Sequence, residues 1–322
     1  MIITGKKFSK PEMSRVINGD VQLSDGPEKA PKFRLDHLIM KLHPEWNRAS
    51  LQSFIRNGYV TVNGEVITKP NKLLEEPVEI QLNLPEDLAN PEVKAEKIKQ
   101  AAPNTIFEDE NVLVVDKPAG LLSMAKGEVC AEPTLEDYGL LVHRLDRDTS
   151  GIVILAKNEE TQTLLRKQFQ DRKAHKTYYA IIEGRPKLDS AKIDLPILRS
   201  IKRPNTFLVD PAGKPSVTVY KVTHILETTP EIRKKYDTDA KVLSLVELKP
   251  QTGRTHQLRV HLKYLGTPIL GDRVYGPNEN PKTRLFLHAS SLEITIPESD
   301  RRTFETPLPA EFKEFIEVSN AL

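Results

Sequence analysis

The fold of this chain is decided by the stretch HRLDRDTSGIVILA, residues 143–156. Five of its first six residues are ionisable, and they cannot all be buried because an unpaired charge in the interior is costly. The five apolar residues at its end, IVILA, predict a buried strand. The stretch therefore places acidic side chains at the edge of a rigid element, as an active site requires. The residues alone fit a charged loop tied down by local Arg–Asp pairs equally well.

Length and composition narrow the class of protein. A chain of 322 residues predicts about two domains. The formal net charge of +2 is small for a nucleic-acid binder, so an RNA partner has to be argued from local patches. Cys130 is the single cysteine, which excludes an intramolecular disulfide and a cysteine-rich zinc site. Without an apolar run of roughly 18 residues or a signal-peptide pattern, we expect a cytoplasmic protein and no membrane partner.

Residues 31–86 predict a small module of two helices on a sheet. Apolar residues recur at the spacing of one helical face at Leu35, Leu38, Ile39 and Leu42. A second short helix is predicted around residues 51–55, a hairpin turn at Asn63-Gly64, and a strand over residues 78–84. Before the module, residues 1–30 are predicted to be an extension with partial order at best.

Residues 87–103 have the composition of a linker, and residues 104–322 predict a second domain. Apolar runs indicate strands over residues 112–115, 151–156, 177–183, 217–224, 242–248 and 285–296. Helical spacing appears near residues 164–169 and 258–265 and again in the C-terminal tail. Many strands and few helices favour an α+β fold built on a mainly antiparallel, mixed sheet.

A second polar cluster is TGRTHQLRVH, residues 252–261, which opens a predicted helix. The free N–H groups of a helix start favour an anion, and arginine and glutamine donors suit a phosphate or a base edge. The alternative is a solvated helix face. His256 and His261, with His143 or His288, raise a metal site as a further alternative. Histidines five residues apart share a helical face poorly, so we expect no metal.

A third cluster is KTYYA, residues 176–180. Tyr178 and Tyr179 point to opposite faces of a predicted strand, so one of them can line a cleft. The alternative role for such a tyrosine is structural packing.

In this order the clusters resemble the signature motifs of the RluA-type family of pseudouridine synthases. The motifs are HRLDRDTSG (143–151), KTYYAIIEG (176–184), KPQTGRTHQLRVHLKYLGTPILGDRVYG (249–276) and RLFLHA (284–289). Residues 33–86 resemble the α-L, ribosomal protein S-four-like, RNA-binding module that often precedes such domains. The resemblance implies an isomerase that converts uridine to pseudouridine within RNA, without metal or cofactor.

The resemblance also implies roles for individual residues. Asp146 is the catalytic carboxylate and Asp148 is not, while Arg254 pairs with Asp146. Tyr178 packs on the target base and helps to remove a proton from it. A stacked base cannot reach the carboxylate, so the family flips it out, and Arg144 contacts the extruded nucleotide. Contacts to the RNA backbone or flanking bases are expected from His256, Gln257 and Arg259, and phosphate contacts in the module from Arg34, Arg48 and Arg56.

The remaining residues of HRLDRDTSG, namely Asp148, Thr149 and Ser150, are expected to brace the turn that holds Asp146. The substrate stays open between large-subunit ribosomal RNA, which we favour, and transfer RNA. HRLDRDTSG and RLFLHA look closer to the ribosomal branch, whereas residues 121–124, LLSM, resemble the branch that acts on both RNAs. The alternative function is an RNA-binding ribosome-assembly factor or RNA chaperone on the same fold. We expect a monomer.

Overall fold

The computed structural model describes residues 3–4, 32–42, 48–75, 78–84, 91–124, 133–203 and 205–321. The chain divides into two compact units, residues 1–100 with 125–133, and residues 101–124 with 134–322. No helix in the described ranges is long and apolar enough to cross a membrane. Most of the expected N-terminal extension and Cys130 lie outside the described residues.

The first unit packs helices and short strands around one apolar core. Its elements are β1 (Ile3–Thr4), β2 (Lys32–Arg34), α1 (Leu35–Leu42), α2 (Arg48–Arg56), β3 (Val60–Val62), β4 (Glu65–Val66), β5 (Leu73–Glu75), β6 (Ile80–Leu82) and α3 (Pro91–Gln100). The strands pair in the order β1-β6-β3-β4, and β2 pairs with β5. Asn63 and Gly64 both have positive φ, which makes the predicted hairpin turn. Helix α3 occupies the stretch expected to be a linker.

The second unit is built on one large sheet. Its elements are β7 (Asn104–Glu108), β8 (Val112–Lys117), β9 (Leu140–Leu141), β10 (Ser150–Ala156), α4 (Glu159–Gln170), β11 (His175–Glu183), β12 (Ser190–Asp194), β13 (Ile197–Arg199), β14 (Phe207–Val209), β15 (Val217–Glu227), α5 (Pro230–Tyr236), β16 (Val242–Pro250), α6 (Gln257–Tyr264), β17 (Leu287–Thr295), β18 (Arg301–Glu305) and α7 (Ala310–Ala321).

In the part of the chain that the structure describes, ten strands form this sheet. The order is β12-β15-β16-β11-β17-β10-β8-β7, with β18 beside β17 and β9 beside β10. All neighbours are antiparallel except β10 and β17, which run parallel. The predicted α+β fold with a mainly antiparallel, mixed sheet is therefore confirmed.

Strand β10 anchors the polar stretch that precedes it. All seven of its residues are buried, as the apolar run predicts. Gly151 has a φ of 115°, and a Cβ at this position would lie 2.2 Å from the carbonyl oxygen of Ala289 on β17. Only glycine permits this close approach of the two backbones. The pairing holds the loop of residues 143–149 at the end of the sheet where β17 begins.

The sequence did not predict the short strands β7, β12, β13, β14 and β18, or helix α5. The start of α5 carries a recognisable signal: Thr229 caps Ile232 N–H, and Pro230 occupies the first turn. Strands β13 and β14 have three residues each, too few to show period-two alternation, and β7, β12 and β18 contain at most two apolar residues each.

Candidate active site

A cleft of about 470 Å³ lies between the loop before β10, strand β11, the end of β16 and the start of α6. Among the described residues that line it, Asp146 is the only one with a carboxylate. Several cations share the lining: Arg144, Arg172, Lys176, Arg254 and Arg259. The cleft thus combines one acid with a positively charged wall.

The loop that carries Asp146 is held from behind by Lys117. This side chain is fully buried, and its Nζ donates to the carbonyl oxygens of Pro118 (2.9 Å), Leu121 (2.8 Å) and Arg147 (2.9 Å). Burial lowers the pKa of Lys117 to about 7, against the raising effect of nearby Asp148 and Asp146. No local pattern around Lys117 indicates this role, because the turn that follows it contacts residue 147 only in the folded unit.

Further hydrogen bonds fix both sides of the loop. Ser123 Oγ donates to the carbonyl oxygen of Leu145 at 2.7 Å, and Leu145 N–H donates back to Ser123 Oγ at 3.1 Å. The buried Thr149 N–H donates to the carbonyl oxygen of Asp146 at 3.1 Å. Ser150, also buried, accepts from Arg284 and bonds His288 Nδ1. Thr149 and Ser150 therefore brace the turn as expected.

The carboxylate of Asp146 is bonded to Arg259. Arg259 Nη1 donates to Asp146 Oδ2 at 3.0 Å, while its Nε and Nη2 donate to the two oxygens of Asp272 at 2.8 Å each. Asp272 is buried and also accepts from the N–H groups of Val274 and Tyr275. The two parallel bonds to Asp272 therefore fix the orientation of the Arg259 guanidinium, and its Nη1 is directed at Asp146. No described hydrogen bond engages Asp146 Oδ1.

The predicted partner of Asp146 was wrong. Arg254 is exposed, and its Nε donates to the carbonyl oxygen of Pro215 at 3.2 Å. The two arginines stand five residues apart in one motif, but Arg254 precedes α6 whereas Arg259 lies on the face of α6 turned into the unit. Which of them faces the carboxylate depends on how α6 packs, and no local pattern states this.

Two of the expected RNA contacts are also corrected. Gln257 is buried, its Oε1 accepts from Thr252 Oγ1 and Arg254 N–H, and its Nε2 donates to Val217 O and Thr218 Oγ1. It ties α6 to β15 and has no donor left for RNA. Arg259 is 8% exposed and committed to two carboxylates, so it is not a backbone contact either.

His256 lies in the cleft, with its Nε2 3.8 Å from Asp146 Oδ2. Its Nδ1 is 2.8 Å from the Tyr275 hydroxyl. Asp272 and Tyr275 belong to GDRVYG, the last part of the third motif, and no local pattern predicted a role for either residue. Arg144 is exposed at the rim, where its Nη1 donates to Met124 Sδ at 3.5 Å.

Tyr178 lines the cleft from β11 with only 7% of its surface exposed. Burial, reinforced by the charge of Asp146, raises the pKa of its hydroxyl above the ordinary value, so it remains a phenol at neutral pH. Tyr179 points to the other face of the sheet and donates to Glu247 at 3.3 Å. The two neighbouring tyrosines therefore separate to opposite faces, as the strand period predicts.

Two histidines of the metal hypothesis, His261 and His143, form hydrogen bonds with other groups. Both ring nitrogens of His261 have partners, Thr218 Oγ1 at 2.9 Å and Leu195 O at 3.0 Å. His143 Nε2 accepts from Ile154 N–H. Among the described residues, no group of three His, Cys, Asp or Glu side chains is placed to hold a metal.

In the module, Arg34 donates from Nε and Nη2 to Asp36, at 3.0 Å each. Asp36 is buried and also accepts from Gln52 Nε2, and Gln52 Oε1 in turn accepts from Arg56. The chain of contacts brings Arg34 and Arg56 to one surface of the module. The side chain of Arg48 lies outside the described residues.

Comparison with known proteins shows which family of proteins this chain resembles. The family described as RNA pseudouridylate synthase matches residues 111–264, and the S4 domain matches residues 33–80. The ribosomal large subunit pseudouridine synthase D of Pseudomonas aeruginosa is 33% identical, covering 87% of this chain and 89% of the relative. The dual-specificity RNA pseudouridine synthase RluA of Vibrio parahaemolyticus is 39% identical over 60% of this chain and 78% of that protein.

A solved structure of human RNA pseudouridylate synthase domain containing 1 aligns with a TM-score of 0.53 at 25% identity. It covers 69% of this chain and 96% of the human chain. The chain belongs to the RluA-type family of RNA pseudouridine synthases, which are isomerases, and it carries an N-terminal S4 module.

Proposed function

We propose that this enzyme isomerises specific uridines of large-subunit ribosomal RNA with Asp146 as its catalytic carboxylate. The observation that carries the proposal is the isolation of Asp146 as the single carboxylate among the described cleft-lining residues, bonded to a guanidinium that is itself locked by Asp272. Such a carboxylate has one orientation and one oxygen, Oδ1, without a described hydrogen bond. We infer that Oδ1 is the oxygen that meets the ribose.

The reaction exchanges one glycosidic bond for another. The N1–C1′ bond of uridine breaks, the uracil turns, a C5–C1′ bond forms, and the proton on C5 is lost while N1 gains one. Reactant and product are isomers, so no oxidant or second substrate enters. Asp146 serves either as a nucleophile on C1′ or as a base that removes a sugar proton, and both roles need the ionised carboxylate.

Tyr178 is placed to support the base. Its ring forms part of the cleft wall beside Asp146, and its raised pKa keeps the hydroxyl protonated. We therefore assign it packing against the flipped uracil and donation of a hydrogen bond. Removal of the C5 proton by this hydroxyl would need a separate acceptor for its own proton.

The positive wall of the cleft suits an extruded nucleotide. Arg144, Arg172 and Arg254 are exposed and line the cleft, so their charges can meet RNA phosphates. The cleft volume of about 470 Å³ falls within the range of roughly 300–1,000 Å³ that is usual for ligand sites. Arg144, at the rim next to Asp146, is our candidate for contact with the flipped nucleotide.

The proposal of ribosomal RNA as the substrate is supported by the share of this chain that each relative aligns with. The Pseudomonas relative, named for the large ribosomal subunit, aligns over 87% of this chain, whereas the dual-specificity relative aligns over 60%. The S4 module, with Arg34 and Arg56 on one surface, then supplies a second RNA contact beyond the active site.

The test compares Asp146→Asn with Asp148→Asn, a neighbouring acid on the same loop. Asp146→Asn should bind RNA with unchanged affinity and form no pseudouridine, while Asp148→Asn should retain activity. Pseudouridines should then be mapped across total RNA from cells with and without the protein, and we expect sites to disappear from large-subunit ribosomal RNA. Full activity in Asp146→Asn would refute the catalytic assignment, and losses confined to transfer RNA would refute the substrate. Rescue of a deletion strain by Asp146→Asn would favour an RNA-binding assembly factor.

A further inference from the structure

His256 has an unusual backbone conformation and lies next to the carboxylate of Asp146. Its φ of 56° lies in the left-handed region, which few non-glycine residues adopt unless the surroundings stabilise it. Its ring meets the rings of Phe207 and Tyr275 edge-on, with centroids 5.6 Å away in each case. The imidazole is thus fixed in the space between strand β14 and Asp146.

A chain of hydrogen bonds places the Tyr275 hydroxyl next to one ring nitrogen of His256. Phe207 N–H donates to the Tyr275 hydroxyl oxygen at 3.0 Å, and His256 Nδ1 lies 2.8 Å from the same oxygen. Among the described residues, His256 Nδ1 is the acceptor within reach of the Tyr275 hydroxyl, so we assign the hydroxyl hydrogen to this bond. A neutral imidazole that accepts at Nδ1 carries its hydrogen on Nε2, the nitrogen that faces Asp146 Oδ2 at 3.8 Å.

We propose that His256 is a positioning residue for Asp146, kept by Tyr275 as the neutral tautomer with its Nε2–H towards Oδ2. His256 and Arg259 together face Oδ2 of Asp146, so that Oδ1 remains available to the ribose. This inference rests on the proposed catalytic role of Asp146. It assigns a function to the Phe207–Tyr275–His256 chain, which joins the β13–β14 hairpin to the reaction centre.

Burial and four nearby charged groups set the protonation of His256. Asp146 and Arg144 face it from the loop before β10, Arg259 from its own helix, and Asp272 from the segment after α6. Burial is the largest influence and lowers the pKa of His256 below the ordinary value, with the carboxylates raising it and the guanidiniums lowering it. His256 is therefore neutral at neutral pH.

Protonation would disrupt this arrangement in two ways. An imidazolium has a hydrogen on Nδ1 and can no longer accept from Tyr275. It would also place a second full positive charge next to Oδ2, which weakens the carboxylate both as a nucleophile and as a base. We therefore expect the rate to fall on the acid side as His256 protonates.

The experiment measures single-turnover pseudouridine formation from pH 5 to pH 8.5, by tritium release from a transcript of the mapped site labelled at uridine C5. Tyr275→Phe keeps the ring under Arg259, which lies 5.1 Å from its centroid, and removes only the hydroxyl. His256→Asn keeps a side chain that tolerates positive φ and removes the imidazole. The matched control is Tyr220→Phe, because Tyr220 is equally buried and its hydroxyl donates to Leu188 O at 2.9 Å, away from the cleft.

Loss of the tyrosine donor should raise the pKa of His256, since this hydrogen bond favours the neutral ring. Tyr275→Phe should therefore move the acid limb to higher pH and lower the rate at pH 7 roughly fivefold, the effect of one neutral hydrogen bond. His256→Asn should lower the rate and shift the limb to lower pH. The dissociation constant for RNA should stay within about twofold in Tyr275→Phe, and Tyr220→Phe should match wild type in both rate and RNA affinity.

Wild-type pH profiles in both Tyr275→Phe and His256→Asn would overturn the inference. Should Tyr275→Phe fail to fold, an unshifted acid limb in His256→Asn alone would do so. Failure of the proposed function looks different, because then Asp146→Asn would keep its activity. If Asp146→Asn is inactive but Tyr275→Phe and His256→Asn keep wild-type pH profiles, the catalytic role of Asp146 stands and the positioning role of His256 is refuted.

Discussion

Substituting Arg259 by glutamine should separate this arginine from Arg254 in both stability and rate. Arg259→Gln removes the two 2.8 Å bonds to the buried Asp272 and the 3.0 Å bond to Asp146. Breaking a buried ion pair from one side costs about 3–5 kcal/mol, because it leaves an uncompensated charge. Asp272 keeps its bonds from the N–H groups of Val274 and Tyr275, so we expect a loss near the lower limit, about 3 kcal/mol.

For a domain of this size, 1 kcal/mol corresponds to about 2–4 °C, so the melting temperature should fall by about 6–12 °C. The rate constant at saturating RNA should fall about 100-fold, the lower limit of the effect of removing one preorganised hydrogen-bond donor from a reaction centre. Both quantities can be measured on one preparation, by calorimetry and by tritium release under single-turnover conditions below the melting transition.

Arg254→Gln is the matched control from the same motif. Its guanidinium is exposed and bonds one carbonyl oxygen, so stability should change by no more than about 0.5 kcal/mol. RNA affinity should weaken, and the salt dependence of binding should lose about one phosphate contact. A wild-type melting temperature in Arg259→Gln, or a larger loss of rate at saturating RNA in Arg254→Gln, would refute the role assigned to Arg259.

Three further predictions concern residues around the cleft. Tyr178→Phe should bind RNA with a dissociation constant within about twofold of wild type. Because burial and the charge of Asp146 raise the pKa of Tyr178, ionisation of this hydroxyl should not change the wild-type rate up to pH 9.5. A fall in the wild-type rate at basic pH that disappears in Tyr178→Phe would contradict this. Lys117→Met should lose about 2–4 kcal/mol in urea unfolding, since three carbonyl oxygens lose their donor, and a wild-type midpoint would show that the loop does not depend on it. Burial and then Lys176 lower the pKa of His143 to about 3, so the unfolded chain binds more protons below pH 6.5 and stability falls as the pH drops. His143→Gln should remove up to about 2 kcal/mol of the stability loss between pH 7 and pH 5, and an unchanged pH dependence of unfolding would refute this.

Local patterns predicted much of the scaffold. The apolar run after HRLDRDTSG is the fully buried β10, Tyr178 and Tyr179 separate to opposite faces, and Asn63-Gly64 makes its turn. Each of these follows from the period of a single element or from the φ that a turn demands. The order of the four motifs, through their resemblance to a family, identified the class of enzyme.

The contacts between motifs could not be obtained in this way. Arg259 and Asp146 are 113 positions apart, and the bond between them depends on which face of α6 packs inward. The contacts of Gln257 also could not be predicted locally. The sequence predicted a contact with RNA, but the side chain joins α6 to β15.

By itself the sequence determined the longer strands and most helices, the charged loop before β10 and the class of reaction, because side-chain periodicity and turn chemistry are properties of neighbouring residues. Only the tertiary structure decided that Lys117 holds the loop and that Arg259 holds the carboxylate. Those partners meet through the order of the strands, including the parallel contact of β10 with β17 that Gly151 permits. Strand order is set by burial across the whole unit, and no short stretch of sequence contains it.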